Sequence, residues 1–277
     1  MKVIDNEGLR IDSYLASELD LSRSKVQKLI KEGLVLVNGN EVNSSYQVKL
    51  DDEIEVNDDL NYEINVEPED IKLDIVYEDD DLMIINKPSG MVVHPAPGHY
   101  TGTLVNALLF YSDSLSHVNG EFRPGIVHRI DAYTTGLLLV AKNDKAHEIL
   151  AKELSEKVTK RKYIALVWGV IKEDTATIDA PIGRDLNDRK KMAVTSINSK
   201  DAITHLRVLK RFKNATLIEL QLETGRTHQI RVHMEYIGHP VVNDPVYGKN
   251  KVIDSSGQCL HAFLIGCKLC IHCKQGC

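Results

Sequence analysis

Cysteine is missing from the first 258 residues of this 277-residue chain, and all five copies fall at or beyond Cys259. A disulfide scaffold would spread its bridges through the fold, so an intracellular redox setting is expected. No stretch approaches the roughly 18 uninterrupted apolar residues that a membrane span needs. Met1 to Arg10 also lacks a signal peptide's apolar segment. The expected location is the cytoplasm, with no membrane partner. An excess of positive charge is missing too: 34 bases stand against 40 acids, a formal net charge of −6. That balance argues against a protein that grips nucleic acid by bulk attraction. The deficit is local, however. Eleven carboxylates lie between Asn57 and Asp81, with Lys72 as the only base among them, so basic clusters survive elsewhere. There is no glycine-rich phosphate-binding loop and no convincing metal-ligand set.

The length suffices for one small and one larger domain, and 43% hydrophobic residues are ordinary for a globular protein. From Gly8 to Val56 the pattern reads as two short helices followed by small strands. Leu9, Ile11, Tyr14, Leu15 and Leu19 lie near helical spacing. Ser22 is a candidate N-cap for a second helix that runs through Ile30 and stops at Gly33. On that helix Arg23, Lys25, Lys28 and Lys31 share one arc and Val26, Leu29 and Ile30 the other, so one face packs and one is basic. A solvated surface helix would look the same. Asn38-Gly39 marks a hairpin turn between Val35–Val37 and Val42, and a further strand pair is expected from Val48 to Val56. The acidic stretch 58–71, with Pro68 inside it and no sustained period, reads as a linker between domains at 1–57 and 72–277.

In the larger domain a hairpin is expected from Leu73–Tyr77 and Leu82–Asn86, and a helix from Thr103 to Phe110. His94 and His99 sit beside Pro and Gly without partners at metal spacing and read as loop-packing residues. Between Arg123 and Lys142, two apolar runs flank His128, Arg129 and Asp131. A carboxylate there must be paired, protonated or facing a cleft, and capping of the turn through the amides of Tyr133 or Thr134 is the bland alternative. Further on, a helix is expected over Asp144–Lys157, strands over Thr159–Val170, Ala202–Lys210 and Thr216–Glu223, and a helix after Gly225 that places Thr227, His228 and Arg231 on one face. Cys267, Cys270, His272, Cys273 and Cys277 have spacings that could hold zinc. Structural zinc sites draw on two separated knuckles, so an altered C terminus with exposed thiols is the preferred reading.

The passage His128-Arg-Ile-Asp131, leading into Thr134-Thr-Gly136, resembles the catalytic loop of the RluA-type pseudouridine synthases. In that family His-Arg-Leu-Asp precedes Thr-Ser-Gly and the Asp is essential. Ile85 to Pro95 is similar to the family's first motif, Gly225-Arg-Thr-His-Gln-Ile-Arg231 to its third, and Gly257 to Ala262 to its closing one. The resemblance implies an α/β (α+β) catalytic domain around a mixed, largely antiparallel, curved sheet. It implies Asp131 as the catalytic residue, Arg231 as its ion-pair partner, and Tyr163, in the place of the family's Lys-Xaa-Tyr, as the ring that stacks on the target base. Arg129 would face the RNA and hold the space of a flipped base. Ala132 and Tyr133 depart from the pattern, standing where the family carries charged residues.

The N-terminal order Arg10, Asp12, Leu15, Ser22-Arg-Ser24, Ile30, Gly33, Val37-Asn-Gly39 and Asp52 resembles the small RNA-binding domain named after protein four of the small ribosomal subunit. That resemblance implies RNA contacts from Ser22, Arg23, Ser24, Lys25 and Lys28. The expected activity is isomerisation of uridine to pseudouridine in RNA by a monomer, a reaction that requires no cofactor or metal, with large-subunit ribosomal RNA in the pre-ribosome the expected substrate and transfer RNA the alternative. Two readings from other classes are an RNA-binding ribosome-assembly factor with little catalysis and an RNA chaperone acting through the N-terminal domain.

Overall fold

A computed structural model describes the chain except residues 5, 20, 22, 58–65, 97–98, 121–122, 189–190, 249–251 and 269–277, and the side chain of Lys25. Two compact units divide between Asn65 and Val66. The first holds α1 (Ile11–Glu18), α2 (Arg23–Lys31), β1 (Val35–Val37), β2 (Asn40–Glu41) and β3 (Ile54–Val56). Apolar side chains at Ile11, Tyr14 and Leu15 on α1 meet Val26, Leu29 and Ile30 on α2, and both close over Val35, Val37 and Ile54. That burial, rather than helix propensity, holds such short helices together. Asn38 and Gly39 both take positive φ, 51° and 76°, as a two-residue hairpin turn requires. The sheet order is β2-β1-β3. In place of a strand pair over Val48–Val56, only β3 pairs with β1, because the chain turns at Asp51 with φ 67°.

The second unit contains β4 (Ile75–Glu78), β5 (Leu82–Lys87), α3 (Leu104–Tyr111), β6 (Thr135–Ala141), α4 (Asp144–Ser155) and β7 (Lys160–Trp168). It continues with β8 (Thr175–Asp179), β9 (Ile182–Arg184), β10 (Met192–Val194), β11 (Ile203–Arg211), β12 (Ala215–Leu222), α5 (Gln229–Tyr236) and β13 (Leu260–Gly266). Eight strands form one sheet in the order β4-β5-β6-β13-β7-β12-β11-β8, and β9 pairs with β10. Among the described residues only the β13–β6 contact is parallel, so the sheet is mixed and largely antiparallel. Three register shifts, in β4, β11 and β13, are the irregularities that bend such strands. β6 is buried on both faces: Leu138 and Val140 join the main core with α3 and α5, while Leu139 and Ala141 pack with Ala146 and Leu150 of α4.

The structure departs from the sequence expectations at several points. Residues 58–65 of the expected linker lie outside the described residues, but 66–71 are docked rather than free. Val66 is buried in the main core, the Asn106 side chain donates to the Glu67 carbonyl at 2.8 Å, and the Glu69 carboxylate accepts from the Gly102 amide at 2.9 Å. Of the two apolar runs flanking Asp131 only the second is a strand; Ile126 makes a single bridge to Val140. β8, β9, β10 and β13 have no counterpart among the expected elements. α5 begins at Gln229, three residues after Arg226, because His228 takes a left-handed conformation with φ 56°. No helix among the described residues is long and apolar enough to cross a membrane.

Candidate active site

Asp131 sits in the loop that enters β6, and that loop is pinned by its backbone. The Ala132 carbonyl accepts from the Lys87 ammonium at 2.7 Å and from the Gly90 amide at 3.0 Å. Lys87 is fully buried and also donates to the carbonyls of Pro88 and Met91. Burial pushes its pKa down to about 8, opposed by the charge of Asp131. His128 Nε2 accepts from the Leu139 amide at 3.0 Å and so ties the loop's other end to β6. The Asp131 carbonyl, not its carboxylate, accepts the Thr134 amide. The carboxylate is thus left for another partner, and the capping alternative does not describe it.

That partner comes from α5. Arg231 Nη1 donates to Asp131 Oδ2 at 2.9 Å. Its Nε and Nη2 donate to the two oxygens of buried Asp244 at 2.7 and 2.9 Å. Such a two-point pair fixes the plane of the guanidinium as well as its position. Asp244 also accepts the amides of Val246 and Tyr247 through Oδ1. The Tyr247 ring lies 5.0 Å from the Arg231 guanidinium carbon, and its hydroxyl is 2.9 Å from His228 Nδ1. His228 Nε2 then faces Asp131 Oδ1 at 3.9 Å. Burial pushes the His228 pKa below the usual imidazole value and that of Tyr247 up to about 12.

Asp131, Arg231, Tyr163 and Arg129 all line one cavity of about 450 Å³. Tyr163, on β7, is buried, and burial raises its phenol pKa. Arg129 Nη1 stands 3.4 Å from Nε2 of buried His94, whose pKa burial pushes down to about 4. Three segments far apart in the chain, the Asp131 loop, β7 and the start of α5, therefore converge on one space.

In the N-terminal unit the candidate RNA contacts divide. Arg23 is half exposed but donates to Asp12 Oδ1 at 3.2 Å. Ser24 and Lys28 are exposed on α2, with Glu32 4.0 Å from the Lys28 amine. Ser22 and the side chain of Lys25 lie outside the described residues. So do Cys270, His272, Cys273 and Cys277 of the candidate zinc set.

Residues 81–236 match the family model described as RNA pseudouridylate synthase, and residues 9–54 match the S4 domain. The chain belongs to the RNA pseudouridylate synthase family. It is 55% identical over 263 residues to the Bacillus subtilis protein named "Uncharacterized RNA pseudouridine synthase YlyB", covering 95% of this chain and 86% of that one. It is 47% identical to "Ribosomal large subunit pseudouridine synthase D" of Zymomonas mobilis, covering 88% of this chain and 78% of that one. The solved structure of human RNA pseudouridylate synthase domain containing 1 is similar at a TM-score of 0.60 and 29% identity, covering 70% of this chain and 78% of that one. The synthase is an isomerase whose substrate is RNA. Its sequence motifs do not by themselves reveal Lys87, Asp244 or Tyr247 as parts of the site. The one signal for Asp244 is its place in Asn243-Asp-Pro245, a turn whose partner lies 13 residues upstream.

Proposed function

We propose that Asp131 is the catalytic carboxylate of this synthase, that Arg231 positions it, and that Tyr163 lies against the uracil of a uridine flipped into the cavity. The 2.9 Å bond from Arg231 to Asp131, on the wall of a cavity that also takes in Tyr163, carries this reading. A stacked base cannot turn, so the nucleotide must leave the stack, at a cost of a few kcal/mol. Arg129 fills the space it leaves. In the isomerisation the N1–C1′ bond breaks, the uracil rotates and C5 bonds to C1′; the C5 proton is lost and N1 takes one up. No atom is gained or lost, so no co-reactant is needed. Arg231 holds Oδ2, and Asp131 Oδ1 has no hydrogen bond among the described residues and is the oxygen offered to the ribose.

The substrate proposed is large-subunit ribosomal RNA. Relatives from Zymomonas mobilis and Neisseria meningitidis named for that subunit, 47% and 44% identical, support the choice. Ser24, Arg23 and Lys28 would carry phosphate contacts of the S4 domain. The enzyme is proposed to act as a monomer, in the cytoplasm where its substrate is made. The test is site-resolved pseudouridine mapping of ribosomal and transfer RNA from cells carrying the wild-type chain, Asp131→Asn, or neither. A site in large-subunit RNA restored only by wild type is expected. A restored transfer RNA site would move the substrate. No restored site, with both proteins still bound to RNA, would favour the assembly-factor reading.

A further inference from the structure

Arg161 is a guanidinium without an anion. It lies on β7 two residues before Tyr163, so both side chains leave one face of the strand, roughly 7 Å apart, and both line the cavity. Lys162, between them, turns to the other face and pairs with Glu219 at 3.2 Å. Among the described residues Arg161 has no ion pair or hydrogen bond, and its Nε is buried without a partner. The two carboxylates on the cavity wall are already engaged. Asp131 is held by Arg231, and Glu223 by His205 at 2.7 Å with Lys157 at 3.9 Å.

Arg161 is half-buried, and its Nε is held out of water with nothing to accept its proton, which costs about 1–3 kcal/mol. The fold nonetheless makes room for it. A Cβ on Gly225 would come within 2.7 Å of Arg161 Nη1, so the loop before α5 is bare where the guanidinium lies against it. A charge kept in place, unpaired, inside a cleft indicates that the counter-ion arrives with the ligand.

We infer that Arg161 binds a backbone phosphate flanking the flipped uridine. The cavity then holds the nucleotide at two points, the base at Tyr163 and the phosphate at Arg161, with the ribose between them and beside Asp131. The separation along β7 is comparable to that between a nucleobase and its own phosphate, and the fork of a guanidinium suits a phosphate's paired oxygens. This inference rests on the cavity being the uridine pocket.

The test compares the full-length chain with Arg161→Met, Arg161→Lys and Gly225→Ala. The probe is an unmodified transcript of large-subunit ribosomal RNA, measured for turnover and for binding across a salt series. Arg161→Met should raise KM about ten- to a hundredfold, the worth of one charge-assisted contact, and leave kcat nearly unchanged. It should also lower the slope of log affinity against log salt by about one. Arg161→Lys should recover part of the loss, and Gly225→Ala should reproduce part of it by displacing the guanidinium. In an oligonucleotide with a neutral methylphosphonate at either phosphate beside the target uridine, one of the two substitutions should weaken wild type and leave Arg161→Met unaffected. A fall in kcat at unchanged KM and salt slope would assign Arg161 to the base in the transition state and overturn the inference. Unchanged kinetics and slope in a folded Arg161→Met would overturn it too. If wild type modifies no uridine in the transcript, the reading of the cavity fails separately, and the salt slope still decides whether Arg161 meets a phosphate.

Discussion

Arg231 reaches Asp131 with a single nitrogen because Asp244 holds its other two donor positions, Nε at 2.7 Å and Nη2 at 2.9 Å. The guanidinium is therefore aimed before any RNA arrives. Asp244 is fully buried and is itself fixed by the amides of Val246 and Tyr247. Asp244→Asn should leave Arg231 able to rotate, and misplacement of a reacting group by about 1 Å costs on the order of a hundredfold in rate. We expect kcat to fall by about that factor with RNA affinity unchanged, as read from the rate of pseudouridine formation and from a binding titration on the same transcript. The double variant with Asp131→Asn should be no worse than Asp131→Asn alone, since both act on one carboxylate. Full additivity would separate Asp244 from Asp131.

The contrast between Arg231 and Asp244 shows what can be read from the chain. Asp131, Tyr163 and Arg231 each stand inside a short motif whose residues fix their own turn, strand or helix, so their place is legible locally. Asp244 matters only because the chain returns to Arg231 after the turn at Gly238. β13 is a stronger case. Leu260–Gly266 occupies the middle of the sheet, between β6 and β7, yet its sequence adjoins a cysteine-rich tail and its parallel partner lies more than a hundred residues upstream. No local period records such a pairing. The start of α5 departs from the expected helix for a different reason: Thr227-His228 fits a helical face, but His228 takes the left-handed conformation while Gln229 binds back to the Arg226 amide at 2.9 Å. Ala132 and Tyr133 carry no charge, and the loop is anchored through its backbone, with Lys87 and Gly90 binding the carbonyl of Ala132.

Lys87→Met tests that anchor. Three carbonyls lose the ammonium, and only that of Ala132 keeps a second donor, the Gly90 amide. Each bond from a charged donor is worth about 1.5–3 kcal/mol, and exposed Pro88 can turn to water instead, so a loss of roughly 2–4 kcal/mol in urea unfolding is expected for the larger unit. Because the loop carries Asp131, kcat should fall even where the protein is fully folded. A folded Lys87→Met with wild-type kcat would mean that the loop is held by other contacts.

Gly136→Ala tests the centre of the sheet. Gly136 takes φ 110°, and a Cβ there would lie 2.3 Å from the Ala262 carbonyl oxygen. The parallel pairing of β6 with β13 is made at this point, Ala262 opposite Gly136. Strain and overpacking together should cost about 3 kcal/mol or more. We expect a lower thermal midpoint and faster amide exchange in Leu260–Gly266, with the S4 unit unaffected. Unchanged exchange in β13 would show that the two strands can part without cost.

Asp12 joins the two helices of the S4 unit. Its carboxylate, fully buried, accepts from Arg10 at 2.9 and 3.1 Å, from Arg23 at 3.2 Å and from Gln27 at 2.6 Å. The bonds from Arg10 above all, with those from Gln27 and Arg23, hold its pKa well below the ordinary aspartate value of 3.8. A depressed carboxylate contributes stability that is complete above the unfolded value and is lost as pH falls through the folded one. Asp12→Asn should therefore destabilise residues 11–31 at neutral pH by about 2 kcal/mol, as read by amide exchange in the full chain. The gap between wild type and variant in urea unfolding should narrow once pH drops below 3.8, since the wild-type carboxylate then also protonates. The same bonds separate two basic residues on α2. Lys28→Ala should lower the salt slope of RNA binding by about one and leave stability unchanged, whereas Arg23→Ala should lower both, because Arg23 also bonds buried Asp12. Equal stability of the two variants would show that Arg23 contributes nothing to the helix pair.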